Sequence, residues 1–218
     1  MWLTKSSVGR KVVMSVTGLF LVLFVTFHAL MNAVAVVNLD WYDAICEFLG
    51  ANWYAVLGTG VIALFVCLHI VFAFWLTLQN RKARGGDSYA VSKSWKEVDW
   101  ASKNMLVLGI IVVCFMILHL VQFWAKMQLP ELMGEEVSHG QFYLEAVFSQ
   151  VWVLPVYLIG FAALWFHLSH GFWSAFQTIG VANDQWIARW KTIARWWASL
   201  LFIIFAVEAC YFTWYFAF

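Results

Sequence analysis

The sequence predicts an all-α membrane protein with five transmembrane helices, on three observations. Of its 218 residues, 64% are hydrophobic and only 11% charged, with a positive mean hydropathy. An ordinary soluble domain carries about 25% charged residues. Five continuous apolar runs are long enough to cross a bilayer, since about 20 residues at about 1.5 Å each span its hydrocarbon core. Twelve of the thirteen Lys and Arg fall in the N-terminal segment and in alternate connections between those runs. Transmembrane strands are excluded, because each run is continuously apolar and far longer than a barrel strand.

The runs cover residues 12–36, 55–78, 105–124, 151–176 and 196–218. The first follows Lys5, Arg10 and Lys11, as a signal peptide would, but it is too long for a signal h-region and reads as a retained helix. The second and third are joined by a basic connection with Arg81, Lys82, Arg84, Lys93, Lys96 and Lys103, broken by the turn-forming stretch Gly85-Gly86-Asp87-Ser88. The fourth and fifth are joined through Arg189, Lys191 and Arg195. If each run crosses once, every basic residue except Lys126 lies on one side, which the positive-inside rule makes the cytoplasmic one, with the N-terminus. The other side is acidic, with Asp40, Asp43, Glu47, Glu131, Glu135, Glu136 and Glu145, and residues 41–52 have the spacing of a surface helix. Trp41, Trp53, Trp124, Trp152, Trp196 and Trp197 crowd the run ends as an interfacial belt. No connection is long enough for a second domain, so residues 1–218 read as one. A net charge of +1 implies no nucleic-acid partner, and Cys46, Cys67, Cys114 and Cys210 show no metal or disulfide spacing.

The first four runs each hold a histidine: His28, His69, His119 and His167. An imidazole inside a membrane helix is costly and normally has a partner. Counted from the outer edges, His28 lies about 15 Å deep, His119 about 10 Å, and His69 and His167 about 24 Å. Counting from the inner edges narrows the gap between layers to about 6 Å but preserves their order. His28 and His119 therefore form an outer layer, and His69 and His167 an inner one. Each pair comes from helices running the same way, which in a four-helix bundle lie on a diagonal. Two imidazoles facing across a diagonal suit the two faces of a haem b. The competing reading for any one of them is an interhelical hydrogen bond. No C-x-x-C-H motif is present, which argues against covalent haem.

With this pattern on the page, the chain resembles the dihaem cytochrome b membrane subunit of succinate dehydrogenases and menaquinol:fumarate reductases. The resemblance spans nearly the whole chain. It rests on one histidine in each of the first four helices and none in the fifth, on Ser15-Val16-Thr17-Gly18 ahead of His28-Ala29-Leu30-Met31-Asn32, and on the stretch from Phe166 to Ser174. It implies two haems b, with the outer on His28 and His119 and the inner on His69 and His167. The fourth-helix ligand in that family stands four residues before a glycine, which selects His167 over His170. His170 is then expected beside the haem or bonded to a neighbouring helix, with substitution as a ligand the alternative. His139 is expected in solvent, with a place near a quinone site the alternative. The resemblance also implies a flavoprotein partner, an iron–sulfur partner and a membrane quinone, menaquinone being the expected one. In such a complex the dicarboxylate chemistry belongs to a partner subunit.

The carboxylates are read less sharply. Some members of that family carry a glutamate two residues before the fourth-helix ligand, a position held here by Trp165, so their transmembrane proton route does not transfer. Glu208, the intramembrane carboxylate of the fifth run, is either functional or protonated and bonded to a neighbouring helix. The family's quinol site includes a carboxylate ahead of the second helix. Glu47 has the most similar placement and Asp43 lies one turn away, although both also fit solvated surface acids. Two rival classes remain. One is the dihaem cytochrome b of another respiratory complex, of nitrate reductase or hydrogenase type. The other is a haem-free proton-coupled transporter, for which no inverted repeat or interrupted helix pair is found.

Overall fold

The structure is a computed structural model that describes residues 6–50, 52–84 and 100–218. The expected break at Gly85-Gly86-Asp87-Ser88 and the basic residues Lys5, Lys93 and Lys96 lie outside the described residues. Nine helices follow in order among the described residues: α1 (Ser7–Val37), α2 (Leu39–Phe48), α3 (Trp53–Arg84), α4 (Trp100–Lys103), α5 (Met105–Gln122), α6 (Gln128–Leu132), α7 (Gly140–Phe148), α8 (Val153–Thr178) and α9 (Ile187–Ala217). Five of them, α1, α3, α5, α8 and α9, are long and apolar enough to cross a membrane. The fold class is therefore an all-α membrane protein.

Local chemistry fixes the ends. Ser6 caps α1, its hydroxyl accepting the Gly9 N–H at 2.9 Å. Asn38 closes α1 and opens α2. Its extended backbone breaks the helix, its N–H donates to the Val34 carbonyl, and its side-chain oxygen accepts the Trp41 N–H at 2.9 Å. One residue thus turns the chain through the bend that lays α2 across the outer end. Gly180, with φ of +83°, lets the Val181 N–H reach back to the Phe176 carbonyl and stop α8.

Three helices outrun their apolar runs at the basic end, α1 beginning at Ser7 ahead of the run at 12. The fifth run begins at 196, yet α9 begins at Ile187, and α3 continues through Arg81 and Lys82. At about 1.5 Å per residue, the 31 residues of α9 extend about 46 Å, well beyond a hydrocarbon core of about 30 Å. The surplus is rich in Ala, Arg and Lys, good helix formers that prefer water. At this basic end, cations lie over tryptophans: Lys191 over Trp173 at 4.7 Å, Arg189 over Trp186 at 4.6 Å, and Arg10 over Trp75 at 5.3 Å.

In the bundle, α1 packs against α3, α8 and α9, and α8 packs against α1, α5 and α9. Among the first four spanning helices the contacts run α3 to α1, α1 to α8 and α8 to α5. That leaves α1/α5 and α3/α8 as the diagonals and α3/α5 as a side without comparable contact among the described residues. The main buried cluster sits in the outer half, where Ala29, Tyr157, Phe161, Phe205 and Phe212 meet Tyr42 of α2 and Phe148 of α7. Leu23, Leu30, Leu57, Leu64, Ile117 and Ile203 point outward, as a lipid-facing surface requires.

Candidate functional site

The two diagonals carry the four histidines. His28 of α1 and His119 of α5 approach with ring centroids 5.7 Å apart and planes at 84°. His69 of α3 and His167 of α8 lie 6.3 Å apart at 67°. Contacts on two helices give the separation of the layers. The inner layer touches α1 at Thr17 and Gly18 and α5 at Gly109, whereas the outer ligand candidates on those helices are His28 and His119. Ten or eleven residues in each case place the layers about 15 Å apart along the axis.

The inner pair is held by a hydroxyl and flanked by glycines. The Thr17 hydroxyl donates to α1 carbonyls, 2.9 Å from Val13 and 3.0 Å from Met14, and lies 3.2 Å from His69 Nδ1. Its one proton is already committed, so toward His69 the oxygen can only accept, and Nδ1 must carry the hydrogen. That tautomer leaves the Nε2 lone pair free, the state that metal ligation requires. A Cβ at Gly18 would stand 3.2 Å from His69 Cε1, and one at Gly109 would stand 3.7 Å from His167 Cε1. His167 Nδ1 is buried with no hydrogen-bond partner.

The outer pair is set among rings. His28 stacks on Phe24 at 5.6 Å and meets Phe205 at 6.2 Å, while His119 contacts Phe123 at 5.1 Å, Phe115 at 6.2 Å and Tyr157 at 6.3 Å. The Tyr157 hydroxyl donates to Gln122 Oε1 at 2.7 Å and stands 3.5 Å from His119 Nδ1, again offering only an acceptor. The Asn32 amide donates to the His28 carbonyl at 2.8 Å. It lies 3.3 and 3.5 Å from the two ring nitrogens of His28, nearly equidistant and so aligned with neither.

These residues fit a bis-imidazole haem site. In each pair two imidazoles from different helices approach one another, with ring centroids 5.7 Å apart in one and 6.3 Å in the other, a donor set that would hold a haem b. Gly18 and Gly109 place no side chain against the ring edges of His69 and His167.

The other candidates are distributed differently. His170, one turn beyond His167, meets the edge of Trp173 at 5.0 Å. His139 is exposed just before α7. Asp43 accepts the Gln141 N–H at 2.8 Å and so caps α7, whereas Glu47 is exposed on α2. Glu208 is buried in α9 and does not join either pair. Sequence reasoning gave no role to Thr17, Tyr157 or Gln122. Thr17 lies inside the quoted first-helix stretch and Gln122 stands one turn beyond His119, which are the signals that point to them. A comparison with family models, with curated proteins and with solved structures finds no match.

Proposed function

We propose that this chain is the dihaem cytochrome b membrane anchor of a succinate:quinone oxidoreductase, of succinate dehydrogenase or fumarate reductase type. One observation carries the reading: four half-buried imidazoles form two pairs, on two diagonals, at two depths. A single membrane histidine serves well as an interhelical hydrogen-bonding group, but two cross-bundle pairs with matched spacing call for a ligand apiece.

Bound haem b supplies one-electron redox chemistry, and the protein sets where it lies and how basic its ligands are. His28 and His119 would hold the outer group, His69 and His167 the inner. Thr17 orients His69 by accepting its Nδ1 hydrogen, whereas Tyr157 stands at the far limit of hydrogen bonding from His119 Nδ1. The aromatic wall around the outer pair keeps water away from it. His170 stands beside the inner pair without belonging to it. Electrons would pass between a membrane quinone, menaquinone on the resemblance, near the acidic outer end and an iron–sulfur and a flavoprotein subunit at the basic inner end. Of the two outer carboxylates, Glu47 is the freer to take a quinol proton, because Asp43 is engaged as a helix cap. The basic asymmetry supports an N-terminus on the cytoplasmic side, and the resemblance supports a bacterial cytoplasmic membrane.

The test is a pyridine haemochrome assay on the purified protein, combined with identification of co-purifying chains. Two haems b and an FAD-containing partner are expected. Zero haem overturns electron transfer, one haem overturns the two-layer assignment, and a molybdenum or nickel partner assigns the chain to a different respiratory complex.

A further inference from the structure

Glu208 is a buried titratable group in the outer half of the bundle that takes no part in the histidine pairs. It stands in the row Ala194, Ala198, Leu201, Phe205, Glu208 and Phe212 that α9 turns into the protein. Only 7% of it is exposed, and its Oε1 has no hydrogen-bond partner. Thr213 Oγ1, about 7.5 Å further out along the helix axis, is likewise buried and unpartnered. A buried polar atom without a partner costs stability and calls for an explanation. For a carboxyl in an apolar cluster, a role that uses its change of charge is one.

Its surroundings connect it in two directions. Toward the bundle axis, Phe205, one turn earlier on α9, packs 6.2 Å from His28 and stacks on Phe161 at 5.2 Å. Toward the outer surface, Tyr42 reaches into the same cluster from α2, and Asp43 follows it at the surface. Phe205, Ala209 and Phe212, which flank Glu208 on α9, belong to the cluster that Tyr42 enters, and burial, with Cys46 next, holds the Tyr42 hydroxyl well above the usual tyrosine range. Burial also pushes the Cys46 thiol up to about 11. Neither group ionises near neutral pH, and Tyr42 can pass a proton only by turning its O–H. The other titratable groups on the elements packed against α9 are His28 and, at the far basic end, Arg10 and Lys11 on α1, Tyr157 and the distant His167 and His170 on α8, and Tyr143 on α7. Glu145 of α7 points to solvent.

We propose that Glu208 is the proton-exchanging group of the outer centre. When that centre takes one electron from a membrane quinol, the Glu208 carboxylate binds one proton from the outer side by way of Tyr42, and it releases that proton when the electron moves on. One O–H bond forms for each electron that arrives, so no net charge is added to the low-dielectric cluster. The proposal rests on the outer pair holding haem.

The experiment is a redox titration of the intact membrane complex at several pH values, with the outer step identified as the one lost in His28→Ala. In the wild type the outer midpoint potential is expected to fall as pH rises, at most by about 59 mV per tenfold change in proton concentration. Glu208→Gln should keep two haems and flatten that slope, while Glu208→Asp should retain it. An outer potential that is independent of pH in the wild type, or a slope that survives in Glu208→Gln, overturns the proposal. Should Glu208→Gln not assemble, infrared difference spectra of the wild type decide. A carboxyl band that appears on reduction and shifts in heavy water, and moves in Glu208→Asp, supports it, and its absence overturns it. A wild-type complex without haem instead defeats the parent reading and is recognised before any titration.

Discussion

Around His28 and His119 the neighbours are rings, with Phe24, Phe115, Phe123, Tyr157 and Phe205 all within contact distance. Around His69 and His167 they are a hydroxyl and two glycines. The outer layer is thus positioned by bulk, inside the main buried cluster, and its hydrogen bonds are long or misaligned. The inner layer is positioned by one well-placed oxygen and by the absence of side chains beside the rings. The difference shows that one bundle can orient paired imidazoles by packing at one depth and by hydrogen bonding at another. It also implies that the same kind of substitution should have unequal effects at the two depths.

The largest effect is expected from removing a ligand candidate. His119→Ala should leave one haem, with the redox behaviour of the inner pair, and His69→Ala should leave one with that of the outer pair. A haemochrome count with a redox titration checks both. If either substitution removes both haems, the layers are not independent and the comparison fails.

Next comes the glycine cradle. Gly18→Val should empty most of the inner site and spare the outer one, because even a Cβ at Gly18 comes within 3.2 Å of His69. Gly109→Ala should leave both, since 3.7 Å is ordinary contact. Replacing a helical glycine by alanine adds up to about 1 kcal/mol of helix propensity. A loss of haem in Gly18→Ala would therefore report steric conflict with His69 and not a weakened helix.

Thr17→Val should cost less. It keeps the shape of the side chain but removes the oxygen that accepts from His69 Nδ1. Changes to groups that orient a metal ligand typically cost about 10- to 100-fold in affinity. Here about tenfold is expected, because the Met14 carbonyl remains as a second acceptor for the ring. The inner potential should rise, as a less basic imidazole stabilises ferric iron less. Equal loss at both layers would show that Thr17 acts on the whole bundle.

The sequence carried the five spans, their order and the partition of histidines by depth, because hydropathy and residue counting report position along the membrane normal. It placed helix ends poorly where polar helix formers continue a helix into water. That is why the fifth run begins at 196 and α9 at Ile187. Helix α7 was read as connection, since its buried face shows only against α2 and α9. The same blindness to partners applies at the site. Asp43 looked like a free acid until Gln141 of α7 was found bonded to it, and the acceptor roles of Thr17 and Tyr157 depend on where their hydroxyl protons go. The layer spacing stayed between about 6 and 15 Å until Thr17, Gly18 and Gly109 supplied contacts from which to count.

Tyr157→Phe is expected to have the smallest effect, and it tests the contrast most directly. The phenol stands 3.5 Å from His119 Nδ1, at the far limit of a hydrogen bond, and its proton belongs to Gln122. The phenylalanine ring would keep the contacts with Phe115, Phe148 and Phe161 that hold this side of the site. Both haems should therefore remain, with the outer affinity reduced less than about tenfold, or under about 1.4 kcal/mol. Competition for haem with an apoprotein acceptor measures this at each layer. If Tyr157→Phe weakens the outer site as much as Thr17→Val weakens the inner, then one hydroxyl orients each layer, and the rings around His28 and His119 only fill space.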